Sequence, residues 1–364
     1  MQISKLPSGI TLASEYISHV RTVTIGIWVR VGAANETKQE LGLSHFLEHM
    51  LFKGTASRSA RDIVEAFDDV GGEINAYTTK EYTCYFAKVM DEHLEIAVEI
   101  LVDMLSNPLL ATSDVQKEKQ VVLEEICMYE DSPDELIHDY LAQEIWPKHP
   151  LGRAILGTKE SIANLTQESV VEFYRRHYRP EEIVISATGN LCHDTLVELV
   201  EKLELSPHDC PRSPSVGSVV YSPKILMVER AIEQLHMCLG FPGISRINPQ
   251  IYALNILNNI FGAGMSSRLF QGIREEKGLA YSIFSYPACF HDNGYFVVYA
   301  GFTSSNTEEL VTTIAIELKK MRDELVSSKE LYRAKQQVKG ELIMGLESTT
   351  TRMSRMGRSL LLLG

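Results

Sequence analysis

The chain has 364 residues, 45% of them hydrophobic, enough for a sizeable core and, by the usual size of domains, about two of them. Its 48 acidic residues against 35 basic ones give a formal charge of -13, which argues against a nucleic-acid-binding surface. No stretch reaches the apolar length of a membrane span, so the expectation is a protein that neither binds nucleic acid nor inserts in a membrane.

The first twenty residues, MQISKLPSGITLASEYISHV, carry neither a signal-peptide pattern nor the Arg/Ser-rich bias of a transit peptide, and read as mature sequence. Thr22 to Arg30, TVTIGIWVR, and Cys84 to Val89 alternate in the manner of half-buried strands. Glu92 to Leu105 repeats its apolar residues at helical spacing. The six cysteines are scattered without CxxC pairs, which predicts free, buried thiols in a reducing compartment. The compartment expected is the bacterial cytoplasm, with a mitochondrial matrix as the alternative.

GLSHFLEHMLFKGT, from Gly42, places His45 and His49 four residues apart with Glu48 between them. On a helix His45 and His49 share a face and can aim at one point. Glu48 lies close enough to that face to take a proton from an attacking water. HxxEH is the inverse of the HExxH arrangement. Alone it leaves open an amphipathic helix with polar residues, because two histidines do not complete a site that ordinarily takes three protein ligands.

DVQKEKQVVLEEICMYED supplies a candidate third ligand. Glu118, Val122, Glu125 and Tyr129 form one stripe along a helix, so Glu125 is placed to ligate and Glu118 to orient a histidine. Glu124 points about 100° away and reads as a surface charge. The competing reading is a solvated acidic helix.

LSPHDCPRSPSVGSV, from Leu205, interrupts every regular pattern with Pro207, Pro211 and Pro214, and marks a linker over 206–218. Around it the pattern repeats. YFAKVMDEHLEIAVEILVDML from Tyr85 resembles YFVVYAGFTSSNTEELVTTIAIELKKM from Tyr295, and EKQVVLEEICM from Glu118 resembles AKQQVKGELIM from Ala334. An internal duplication follows. The predicted fold class is α+β, with two homologous domains, each an antiparallel-rich sheet flanked by helices. In the second half Leu254, Leu257 and Asn258 stand where the first has His45, Glu48 and His49, so chemistry is expected in the first half alone.

These motifs together resemble the pitrilysin-like family of inverted-motif zinc peptidases, especially its mitochondrial-processing-peptidase branch and bacterial relatives. GGEINAYTTKEYT from Gly71 and REEKGLAYS from Arg274 add to the likeness, which covers nearly the whole chain. The resemblance implies a catalytic zinc-binding domain over 1–205 and a second, non-metal-binding domain over 219–364, incomplete at its C-terminus, the two enclosing a peptide-binding chamber. It implies Zn²⁺ held by His45, His49 and Glu125, with Glu48 as general base and Glu118 as an accessory acid. Asn75 and Ala76 would lie on an edge strand that pairs with an extended peptide, and Arg274 and Tyr281 would hold and polarise that peptide. Glu135 and Asp139, four apart on a helix, match positions that hold an arginine upstream of the cleaved bond.

The expected activity is zinc-dependent endopeptidase action on extended peptides or unfolded segments, by a homodimer. The alternatives are a catalytically silent structural or peptide-presenting subunit and a peptide-trimming partner in a heterodimer.

Overall fold

The computed structural model describes residues 1–201, 221 and 223–364. The expected linker, 206–218, and Cys210 lie outside the described residues. The first half runs β1 (Gln2–Lys5), β2 (Thr11–Tyr16), β3 (Thr22–Val29), α1 (Leu43–Leu51), α2 (Ala60–Asp68), β4 (Glu73–Thr78) and β5 (Thr83–Met90). It continues with α3 (Leu94–Ser106), α4 (Thr112–Glu130), α5 (Pro133–Ile145), α6 (Lys159–Asn164), α7 (Gln167–His177), β6 (Ile183–Gly189) and α8 (His193–Val200). The second half holds β7 (Leu235–Pro242), α9 (Ile251–Asn258), β8 (Ala280–Cys289) and β9 (Gly294–Phe302), then α10 (Thr307–Asp323), α11 (Ser328–Gly345) and α12 (Thr349–Leu363). The predicted strands at Thr22 and Cys84 are β3 and β5. The helix expected from Glu92 is α3, which starts two residues later because Asp91–His93 form a 3₁₀ turn.

The chain packs as two compact units. Unit 1 comprises, among the described residues, 1–128, 153–201 and 345–364. Its six-stranded sheet has the order β1-β2-β6-β3-β5-β4, with β2 and β6 parallel and every other neighbouring pair antiparallel. The period-2 pattern of β3 divides its side chains between two faces. Val23, Ile25, Ile27 and Val29 join Phe46, Leu47, Leu101, Val122 and Phe173 in the larger core, while Trp28 enters a smaller one with Met353 and Leu361.

Unit 2 comprises 129–152, 221 and 223–344 among the described residues. Its sheet, β7-β9-β8, is antiparallel throughout, and Phe296, Val298 and Ala300 of β9 pack with Leu310 and Ile314 of α10. The duplication is visible in the order of elements. β3-β5-β4 and β7-β9-β8 share strand order and antiparallel sense, and β5, α3, α4, α5 correspond in sequence to β9, α10, α11, α12.

The two units differ from the expected sequential boundaries at one pair of equivalent helices. α5 packs on β7 within unit 2, and α12 packs on β3 and β6 within unit 1. Sequence periodicity records that each helix has an apolar face but not which sheet that face meets. For α12 the fit is made by glycine. A Cβ on Gly357 would stand 2.0 Å from Trp28 Nε1 and 2.5 Å from Ser186 Oγ. Trp28 Nε1 donates to Ser186 Oγ at 2.8 Å, and Ser186 Oγ donates to the Met353 carbonyl at 3.1 Å. Gly357→Ala therefore has to displace a buried indole and its hydrogen bonds. The expected cost is about 1–3 kcal/mol, read as a lower urea midpoint, whereas Gly272→Ala, with open space at its Cβ, should not lower it. An unchanged midpoint for Gly357→Ala would contradict this docking of α12.

Among the described residues no helix is long and apolar enough to cross a membrane. The described cysteines are free, as expected, but only Cys84 is buried and Cys192 is exposed.

Candidate metal centre

α1 forms because Leu43, Phe46, Leu47, Met50 and Leu51 supply an apolar stripe for the core. Gly42 precedes it with φ 86°, in the left-handed region that a glycine takes at little cost, and its place against the Leu156 carbonyl leaves no room for a Cβ. Gly42 has no side chain to cap the helix. Glu36 supplies the cap instead, its Oε2 accepting from the Gly42 N–H at 2.9 Å and its Oε1 from the Ser44 N–H at 2.8 Å. Burial pushes the Glu36 carboxyl up to about 8 despite those two bonds and the nearby Arg153. A carboxylate at the first turn also faces the positive end of the helix.

One turn on, His45 is buried and His49 half-buried, their ring centroids 4.5 Å apart. α4 brings its stripe against them. His45 Nε2 lies 3.6 Å from Glu125 Oε1, and His49 Nε2 lies 3.7 Å from Glu125 Oε2. Both separations exceed a hydrogen bond. They are close to the spacing of about 3.4 Å between two N/O ligands of a tetrahedral zinc with bonds of about 2.0–2.2 Å. Ligand atoms of His45, His49 and Glu125 all lie within 4.8 Å of one another. Two imidazoles and a carboxylate converging at this distance fit a divalent transition metal with room for a further ligand.

The surroundings fix those donors. His49 Nδ1 lies 2.8 Å from Glu118 Oε1, which assigns the proton to Nδ1 and leaves Nε2 free to ligate. Glu118 Oε2 receives Lys53 Nζ at 2.6 Å, so the carboxylate is held from both sides. Burial opposes the charge on Glu118, but His49 and Lys53 outweigh it and lower its pKa. Burial likewise opposes a charged His49, but the hydrogen bond it donates to Glu118, together with the nearby carboxylates, outweighs it and raises the pKa. Burial, reinforced by His49, takes His45 down to about 4, the neutral form a ligand needs. Its Nδ1 is buried without a partner among the described residues, so packing alone sets that ring.

Glu48, 8% exposed, accepts a hydrogen bond from Thr78 Oγ1 at 2.5 Å through Oε2. Burial raises its pKa, partly offset by Thr78. A carboxylate with a raised pKa beside a metal-ligand cluster is suited to accept a proton.

The sequence-predicted residues thus fall into two groups. His45, Glu48, His49, Glu118 and Glu125 converge in unit 1, and Glu124 is exposed. Asn75 and Ala76 lie on β4, the edge of the six-stranded sheet, where Asn75 Oδ1 accepts from the Ala76 N–H at 2.7 Å. Arg274 and Tyr281 belong to unit 2, with the guanidinium carbon 5.2 Å from the Tyr281 ring centroid and 4.9 Å from that of Phe270. They line a cavity of about 330 Å³ with Gln234, Thr303 and Asn306. Glu135 and Asp139 also belong to unit 2, on α5, where Glu135 is exposed and Asp139 bonds Tyr129.

Glu36, Lys53 and Thr78 were not legible as site residues. Glu36 left one hint, an acidic residue shortly before a helix start. Lys53 and Thr78 left none, because their partners are set by packing.

Comparison with known proteins finds relatives in both sequence and fold. Residues 11–159 match the family described as Insulinase (Peptidase family M16), and residues 164–338 match the Peptidase M16 inactive domain. A Bacillus subtilis protein named uncharacterized zinc protease YmxG is 43% identical over 357 residues, 98% of this chain and 87% of that protein. A Streptomyces coelicolor protein, also named an uncharacterized zinc protease, is 41% identical over 97% of this chain and 79% of its own length. In fold, the chain is similar to a protease from Helicobacter pylori, with a TM-score of 0.91 at 23% identity over 99% of this chain and 89% of that one. It is also similar to a peptidase M16 inactive domain from Pseudomonas fluorescens, with a TM-score of 0.86 at 18% identity over 98% and 86% of the two chains. A first half matched as the peptidase and a second as its inactive counterpart parallel the one-sided placement of the His45, His49 and Glu125 cluster, and with near-complete coverage at 43% identity the chain belongs to peptidase family M16.

Proposed function

We propose that the protein is a zinc-dependent endopeptidase acting on extended peptides or unfolded segments. The observation that carries this reading is the convergence of His45 Nε2, His49 Nε2 and a Glu125 carboxylate oxygen beside the buried carboxylate of Glu48. The names of the relatives, zinc proteases, support the same metal. When bound, zinc would polarise the scissile carbonyl and acidify a water.

The protein's own groups do the rest. Glu118 and Lys53 keep His49 in its ligating tautomer. Glu48 takes the proton of the attacking water and returns it to the leaving amine. β4 offers an open edge to which an extended peptide adds by main-chain hydrogen bonds, with Asn75 and Ala76 in that strand. Arg274 and Tyr281 are assigned to the bound peptide, so that Tyr281→Phe lowers kcat and leaves zinc content unchanged. The finer reading is a processing-peptidase preference for arginine upstream of the cleaved bond, held by Glu135 and Asp139, in a homodimer of the bacterial cytoplasm.

Digestion of a peptide library with and without chelator tests both levels. The expected result is cleavage lost with chelator and restored by zinc, with arginine enriched upstream of the cut. Cleavage unaffected by chelator would sink the zinc reading. No cleavage by zinc-loaded protein would favour a silent subunit. Cleavage without arginine enrichment would remove only the role of Glu135 and Asp139.

A further inference from the structure

Glu48 can act as a base only if its carboxylate is presented in one orientation, and a glutamate side chain has rotatable bonds enough to present several. Its environment narrows the choice through one polar contact. Thr78 Oγ1 donates to Glu48 Oε2 at 2.5 Å, the short distance of a hydroxyl bonded to a carboxylate. Thr78 has a single hydroxyl proton. The other oxygen near it, Thr83 Oγ1, is 3.3 Å away and gives its own proton to the Val31 carbonyl at 2.9 Å. Thr78 and Thr83 face each other in the register of β4 and β5, so the hydroxyl is anchored on the sheet. The proton of Thr78 is therefore committed to Glu48, which pins Oε2 and leaves Oε1 for a water.

The strand on which Thr78 sits adds a second consequence. Ile74 and Ala76 of β4 pack toward the larger core, the side on which α1 lies, and Thr78 continues that alternation two residues on. The same short edge strand thus carries both the backbone assigned to the peptide and the hydroxyl that holds the base.

We infer that Thr78 is a positioning residue which orients Glu48 and locks the base in register with a peptide added to the edge of β4. The inference rests on the peptidase reading above for its catalytic meaning. Misplacing a reacting group by about 1 Å can cost about 10²-fold in rate. Thr78→Val keeps the β-branched shape suited to a strand and removes the donor. It is expected to lower kcat by about 10–100-fold with KM and zinc content unchanged, whereas Thr78→Ser, which keeps the hydroxyl, should restore most of the rate.

The experiment that tests this combines steady-state kinetics and zinc analysis of both variants with crystal structures of zinc-loaded wild type and Thr78→Val. The structures are expected to show the Glu48 carboxylate displaced in Thr78→Val. Wild-type kcat in Thr78→Val, an equal loss in Thr78→Ser, or an undisplaced Glu48 carboxylate would each overturn the inference. If the wild type cleaves nothing, the peptidase reading fails, and the Glu48 position in the two structures still decides whether Thr78 holds it. Should Thr78→Val not fold, Thr78→Ala against Thr78→Ser provides the same contrast.

Discussion

Glu48→Gln is expected to bind zinc as wild type does and to lose peptide hydrolysis by about 10²–10⁴-fold, the usual contribution of a positioned acid or base. Glutamine has nearly the shape of glutamate and can still accept the hydrogen bond from Thr78. It cannot take a proton from water at neutral pH. The ligand atoms of His45, His49 and Glu125 are untouched, so zinc content, measured by elemental analysis of the purified protein, should remain at the wild-type level. The rate is to be followed on a peptide whose cleavage by the wild type is blocked by chelator. Hydrolysis by Glu48→Gln at the wild-type rate would remove the proposed base, and loss of zinc together with activity would show Glu48 to be a ligand.

The second large effect concerns two adjacent glutamates. Glu125→Gln is expected to weaken zinc binding by more than about 100-fold, beyond the 10–100-fold typical of a residue that only supports a ligand, while Glu124→Gln leaves it unchanged. Only Glu125 presents its oxygens to His45 Nε2 and His49 Nε2, at 3.6 and 3.7 Å. Glu124, about 100° around α4, is exposed. Competition against a chelator of known affinity measures the difference. Equal affinities for Glu124→Gln and Glu125→Gln would sink the ligand assignment, whatever their activities.

How far the site could be read in advance depended on how local each relation was. His45, Glu48 and His49 share one helix, and the spacing of four follows from 3.6 residues per turn, so their common face was legible. Glu118 and Glu125 were legible as a stripe for the same reason, although nothing in α4 by itself says that the stripe meets α1. Thr78 and Lys53 act across element boundaries. A hydroxyl on an edge strand and a lysine after a helix are ordinary until packing places them 2.5 and 2.6 Å from carboxylates.

The duplicated order of elements, the α+β class and the confinement of the histidine pair to the first half follow from sequence alone, because periodicity, turn residues and motif spacing are properties of short stretches of chain. Which sheet each apolar helix face covers was decided only in the tertiary structure. α5 and α12 have similar positions in the two repeats, yet α5 packs on β7 of unit 2 and α12 on β3 and β6 of unit 1. The contact that fits α12 here is steric, since the missing Cβ of Gly357 leaves space for the Trp28 indole and that of Gly26 on β3 leaves space for Met353. The cap that Glu36 places on α1 and the hold of Thr78 on Glu48 have the same origin. Burial makes an unpaired polar group costly, so the packed chain brings to each buried carboxylate the donors that its fold, and not its local sequence, puts within reach.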